Sequence, residues 1–239
     1  MVNSFLIIGG YSHIARAIID ELVLTKQAEQ IVAVSRGSRP ADLNNIHWYQ
    51  SDYSESSIAA LISQFRDEGR HFSLVIICHG VLHDDTVQPE KRLEDLNADS
   101  LRHVFQINAI TPLLWLKHLV PLLRQSALCK VAVFSARVGS IGDNHLGGWY
   151  SYRASKAALN MLLKSAAIEY ARRAPNVKIL AFHPGTTDTP LSRPFSKQVP
   201  EHKLFQPAFM VKQLLQILER LEPDGELSFL DWQGQRIDW

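Results

Sequence analysis

Cysteine is scarce: Cys78 and Cys129 are the only two in 239 residues. Each flanks an apolar run, and they lack the paired spacing of a metal or disulfide framework, so reduced, buried thiols are expected. Net charge is almost absent, with 25 Lys and Arg against 24 Asp and Glu. That balance gives no electrostatic ground for a nucleic-acid or anionic-membrane partner. Long apolar runs are missing too. The most apolar helical stretch, 113–123, carries Lys117, His118 and Pro121 and falls short of the roughly 20 residues a bilayer demands. No basic stretch precedes the short run Phe5-Leu6-Ile7-Ile8, so no signal peptide and a cytoplasmic location are expected. The ten histidines are scattered, and no two make a ligand pair with a third, so no metal site is expected. With no repeat, low-complexity segment or linker, the chain reads as one domain over 1–239, long enough for a substantial core.

What is present is a regular alternation of apolar strands and amphipathic helices. Residues 3–9, 31–35 and 46–50 read as strands, and 74–78 is apolar throughout, as in a strand covered on both faces. Residues 14–24 and 54–65 have helical periodicity, the second with Ile58, Leu61, Ile62 and Phe65 on one face. A long helix follows over 98–124. Pro112 within it would clash with the carbonyl of Asn108 and remove a hydrogen bond, so a distortion is expected there. This alternation implies an α/β fold: a single Rossmann-type, doubly wound parallel sheet with helices on both faces.

The stretch 148–160 reads as the start of another helix, whose apolar stripe continues through Leu162, Leu163, Ala166 and Ile168. Positions four apart share a helix face, so Tyr152 and Lys156 present a phenol and an ammonium to one place. A free phenol titrates near ~10, and moving it three units requires roughly 4 kcal/mol of differential interaction, which a nearby ammonium can supply. Alone, a Tyr-x-x-x-Lys pair also arises by chance on a solvated face.

The pair does not stand alone. The run 130–135 precedes it, Phe182-His183-Pro184-Gly185 follows it, and an apolar run leads into Gly9-Gly10 near the start. This ordered set resembles the short-chain dehydrogenase/reductase superfamily over essentially the whole chain. The stretches 135–141, 147–156 and 229–239 are similar to its C-factor-like branch. The resemblance implies a catalytic set of Tyr152, Lys156 and Asn108, the last holding a water of a proton relay. It also implies a dinucleotide site. Gly9, Ser12, His13 and Ile14 would form the pyrophosphate turn at a helix N-terminus, and Arg36 would sit at the ribose and Asp52 at the adenine. Cys78, His79 and Gly80 would follow the fourth strand. Pro184, Gly185, Thr187 and Thr189 would lie along the nicotinamide and pyrophosphate, with Tyr152 and Lys156 at the nicotinamide ribose. The helices bearing Asn108 and Tyr152 would form the interface of a homodimer or homotetramer. Residues 190–207 would be a substrate loop, with Leu191, Phe195, Leu204 and Phe205 as apolar wall.

Several positions depart from the family pattern. His13 and Ala15 stand where the turn has its second and third glycines, and glycine serves such turns by tolerating positive φ and close approach. Ser35-Arg36, followed by Arg39, stands where an acid would bind the ribose of NAD. A guanidinium in place of a carboxylate suits a 2′-phosphate, so NADP(H) is preferred over NAD(H), against the alternative of a solvated arginine. His79 replaces an alanine. Anchoring on Val138-Gly139 puts Ala136 at the family's catalytic serine, with Ser135 just before it. The function expected is an NADP-dependent oxidoreductase interconverting a carbonyl and an alcohol, with Tyr152 as general acid/base. The alternative is a dinucleotide-binding signalling or regulatory protein with little turnover.

Overall fold

The computed structural model describes residues 4–124, 127–197 and 199–239. Among them, six parallel strands run in chain order: β1 (Ser4–Ile8), β2 (Gln30–Ser35), β3 (His47–Gln50), β4 (Leu74–Ile77), β5 (Cys129–Phe134) and β6 (Val177–His183). A two-residue pair, β7 (Thr186–Thr187) with β8 (Leu204–Phe205), stands apart, and β9 (Leu227–Asp231) completes the main sheet. Its order is β3-β2-β1-β4-β5-β6-β9, parallel throughout. The strand order reverses between β1 and β4, and a crevice opens there at the carboxyl ends of the strands. Asn3, the expected first strand residue, lies outside the described residues.

Alternation along the strands divides the core in two. Leu6, Ile8, Val75, Ile77, Val131, Val133, Ile179 and Ala181 face α2 (Glu55–Asp67), α4 (Thr111–Leu123) and α5 (Tyr150–Arg173). Their neighbours Ile7, Ala33, Ile76, Ala132, Leu180 and Phe182 face α1 (His13–Thr25) and α6 (Pro207–Arg220). Both faces being covered is why these strands read as continuous apolar runs rather than alternating ones.

The helix expected over 98–124 is interrupted, as Pro112 required. It consists of α3 (Ala98–Phe105), a π-helical turn at Gln106–Ile110, and α4. Pro112 has no N–H to offer the carbonyl of Asn108, and Thr111 reaches back to Gln106 instead of closing the ordinary four-residue step.

Candidate active site

The first turn is held by Gly9, whose φ of +87° is a conformation glycine adopts without steric cost. A side chain there would also meet the Cys78 backbone carbon at 3.3 Å. Ser12 caps α1, its Oγ accepting the Ala15 N–H at 3.1 Å. His13 is the first residue of α1 and is not among the positive-φ residues. The backbone freedom of a second glycine is therefore not needed here, and the imidazole simply stands exposed at the helix N-terminus. Ala15 is fully buried in the core.

A cavity of about 250 Å³ opens at this turn. It is lined by Ser12, His13, Ile14, Cys78, His79, Gly80, Tyr152, Lys156, Pro184 and Thr189, with Phe134, Ser135, Pro190 and Leu191. Most of the residues singled out in the sequence thus come together on one wall-to-wall site. An adjoining cavity of about 220 Å³ shares Tyr152 and Ser135 with the first, and adds Leu82, Ala136, Val138, Trp149, Gly185, Thr187, Phe195 and Val199. Among the described residues, no Asp, Glu, Lys or Arg lines this second space. Trp149 meets Phe195 edge-on at 5.2 Å and Tyr152 at 6.2 Å, forming an aromatic wall. Leu82, Trp149 and Val138 carried no sequence signal as wall residues, since three separate loops deliver them.

Lys156 is 2% exposed, and its Nζ donates to the Phe134 carbonyl at 2.8 Å. Nζ lies 5.9 Å from the centre of the Tyr152 ring. Burial pushes the Tyr152 phenol up to about 12 and the Lys156 amine down to about 7. Asn108 is fully buried. Its Oδ1 accepts the Val81 N–H at 2.7 Å, and its Nδ2 donates to the Val81 carbonyl at 2.9 Å and to Ser155 Oγ at 3.0 Å. Ser155 Oγ in turn donates to the Tyr152 carbonyl at 2.8 Å. The Asn108 side chain thus ties the loop after β4 to α5. A Cβ on Gly80 would stand 3.7 Å from Lys156 Nζ and 4.0 Å from Asn108 Oδ1, which places Gly80 beside both groups.

Ser135 and Ala136 separate as strand geometry requires. Ser135 continues the α5-facing side of β5, and its Oγ donates to Asn160 Oδ1 at 2.6 Å. Ala136 lines the second cavity with Tyr152. His79 is buried, its ring edge-on to Tyr53 at 4.4 Å, and its Nε2 has no hydrogen-bond partner among the described residues. Burial, with the charges of Arg36 and Lys156 added, holds the His79 imidazole down to about 3. Burial likewise takes His183 down to about 4, with Arg137 adding to it.

Arg36, Asp52, Leu204 and Phe205, all read from the sequence, fall outside the cavities. Arg36 is exposed at the end of β2. Asp52 is engaged locally, its Oδ1 accepting the Ser54 N–H and Oγ–H at 2.9 and 2.7 Å, just before α2. Leu204 and Phe205, expected in the substrate wall, form β8 instead. Phe205 packs on Trp232 at 4.4 Å, and a Cβ on Gly185 (φ +69°) would come within 2.5 Å of the Phe205 ring. Phe205 therefore shapes the backbone at Pro184-Gly185 from outside the cavity.

A doubly wound parallel sheet with a glycine turn, a Tyr-x-x-x-Lys helix and a buried asparagine around one crevice is the architecture of a dinucleotide-dependent oxidoreductase fold. The family model described as short chain dehydrogenase matches residues 3–200, and the chain belongs to that family. It is 32% identical over 186 residues to a 1-hydroxy-2-glutathionyl-2-methyl-3-butene dehydrogenase of Rhodococcus sp. (strain AD45), covering 78% of this chain and 76% of that one. It is 33% identical over 148 residues to the C-signal protein of Myxococcus xanthus, covering 62% and 83% respectively, which supports the C-factor-like branch. In three dimensions it superposes on an NADPH-bound carbonyl reductase from chicken fatty liver with a TM-score of 0.85 at 24% identity, over 100% of this chain and 99% of that one. That likeness concerns the fold.

Proposed function

We propose that the protein is an NADP(H)-dependent reductase of uncharged carbonyl compounds, or dehydrogenase of the corresponding alcohols. The observation that carries this reading is the convergence of Tyr152 and Lys156 on a cavity continuous with the Gly9 turn, with Asn108 buried directly behind them. The residues present fit a dinucleotide. Gly9 leaves room where a side chain would crowd the Cys78 backbone, and Ser12, His13 and Ile14 line the cavity at the N-terminus of α1, where anionic groups are favoured. Arg36 would reach the 2′-phosphate, and Pro184, Gly185, Thr187 and Thr189 would flank the nicotinamide end.

When bound, the nicotinamide supplies or accepts the hydride. The chain's own residues handle the proton. Tyr152, held in its protonated form, donates to the oxygen that becomes the alcohol. Lys156 orients the ribose and resupplies the proton. The main-chain carbonyl of Asn108, to which Pro112 gives no N–H, is the acceptor for a relay water, because the Asn108 side chain is already satisfied by Val81 and Ser155. The second cavity's apolar walls and lack of charge select a carbonyl compound with an apolar body. Binding without turnover is the less favoured reading, since a pure binder has no use for this proton-handling set.

The test is NADPH and NADH titration by fluorescence, with turnover on a ketone and aldehyde panel. NADPH is expected to bind more tightly, and Arg36→Ala to narrow the difference by about 1–3 kcal/mol, the scale of a lost charge-assisted contact. Equal affinities in the parent protein would sink the NADP reading, and no turnover with any carbonyl would sink the catalytic one. The protein is further proposed to be a homodimer or homotetramer joined through α4 and α5, since Ile110, Met161 and Ile168 are exposed on these helices and the turn before α4. A light-scattering mass of 27.0 kDa, that of a monomer, across micromolar concentrations would overturn it.

A further inference from the structure

Helix α5 begins without a cap of its own. The residue at its N-cap position is Trp149, in the left-handed region at φ +52°, and no side chain of the usual capping kind stands there. The first N–H groups of a helix have no intrahelical partner, and Ser151, the second helical residue, is buried. Its needs are met from a distant loop. Glu90 is only 4% exposed. One of its carboxylate oxygens accepts the Ser151 N–H at 3.1 Å, and the other accepts the Ser151 Oγ–H. Its main-chain carbonyl accepts the Trp149 N–H. One residue, 61 positions away in sequence, therefore grips both sides of the helix start.

Those two grips bracket the working end of the site. Trp149 forms the aromatic wall against Phe195, and Tyr152 follows Ser151 directly. The loop that carries Glu90 also supplies Leu82 to the second cavity and is pinned at its base by Asn108 through Val81. A carboxylate at this place is favoured by the helix dipole as well as by its hydrogen bonds.

We infer that Glu90 is a positioning residue, holding the start of α5 so that the Tyr152 phenol and the Trp149 ring stand where the substrate oxygen and body require them. It touches neither cavity itself and acts only through Trp149 and Ser151. The kinetic part of this inference rests on the proposed carbonyl chemistry; the structural part does not.

Three variants and two readouts test it. Glu90→Ala should lower kcat per folded molecule by about a hundredfold, the scale of a misplacement of about 1 Å in a reacting group. NADPH affinity should stay within threefold, because the dinucleotide turn at Gly9 lies on another element. Glu90→Gln should recover most of the rate, since its amide can accept the Ser151 N–H and donate to Ser151 Oγ. Glu90→Asp, one methylene shorter, should recover little. Hydrogen exchange at the Ser151 amide, which the Glu90 carboxylate holds, should quicken at least tenfold in Glu90→Ala and return toward the parent rate in Glu90→Gln. This second readout needs no substrate, so it decides the matter even if no carbonyl is turned over and the functional reading fails. If Glu90→Ala does not fold, the Gln and Asp pair carries both readouts. The inference is overturned by a kcat within threefold of the parent, by a fall in NADPH affinity parallel to that in kcat, by Gln as slow as Ala, or by unchanged exchange at the Ser151 amide.

Discussion

Replacing Ala136 by serine is the perturbation that probes the site most directly. Ser135 and Ala136 are adjacent, so on extended chain they face opposite ways. Ser135 borders both cavities, but its hydroxyl is taken up by Asn160, whereas Ala136 brings no hydroxyl to the second cavity. A hydroxyl at 136 would add a donor beside Tyr152 at the developing oxyanion. One well-aimed donor is worth on the order of 10²–10³ in kcat. A grafted hydroxyl without refined geometry should recover only part of that, so a rise of about tenfold in ketone reduction is expected. Ser135→Ala should instead cost stability, about 1–3 kcal/mol for leaving the buried Asn160 carbonyl unmatched, with kcat within a few-fold. Tyr152→Phe should abolish turnover. The assay is NADPH consumption with a ketone, read beside thermal unfolding of each variant. A loss in Ser135→Ala as deep as in Tyr152→Phe would refute the register, as would a fall in kcat of Ala136→Ser at unchanged Tm.

Two further outcomes concern stability. His79 is held neutral to about 3 and His183 to about 4, both below the unfolded value near ~6.5. The unfolded chain thus binds more protons below that pH, and stability present above ~6.5 is lost as pH falls toward the folded values. From pH 6.5 to 5 the loss should be about 2 kcal/mol for each histidine, and urea unfolding of His79→Ala should show about half the parent's acid slope; equal slopes would contradict it. Lys178, 1% exposed within β6, donates to both Asp224 oxygens at 2.5 and 2.6 Å and to the Glu226 carbonyl at 3.0 Å. Asp224→Asn should cost about 1–3 kcal/mol, below the usual range for a buried pair because Asp224 is half exposed; denaturant titration with no shift in midpoint would refute that.

The elements that sequence made legible are those with a local cause. Strands buried on both faces announced themselves by unbroken apolar runs, and the break at Gln106–Ile110 by Pro112. Tyr152 and Lys156 were legible because helix periodicity alone puts them on one face. Ser135 and Ala136 separated as strand alternation dictates. What stayed hidden depends on contacts between distant positions. Glu90 carried no sequence signal, because nothing within ten residues of it shows that it completes a helix start 61 positions on. Phe205 looked like pocket wall by composition, yet it pairs through β8 with β7 and packs on Trp232. His13 looked like a backbone problem at a glycine position, but the turn closes with positive φ only at Gly9.

At Tyr152 and Lys156 burial adds an effect that helix spacing alone does not reveal. A lysine one turn from a tyrosine suggests a lowered phenol, but both groups are taken out of water, and burial penalises the charged form of each. The phenol goes up to about 12 and the amine down to about 7. A fully charged ammonium 5.9 Å from the ring centre would return roughly 3 kcal/mol at an effective dielectric near 20, about two pKa units. That offsets the burial and brings the phenol back to its ordinary range, but does not carry it to neutrality. With Lys156 titrating near 7, even this help is partial at neutral pH. Tyr152 is thus held in its protonated form, the form in which the proposed chemistry would have it give a proton to a carbonyl oxygen. Taking a proton from an alcohol would first require the phenolate, which this pocket disfavours.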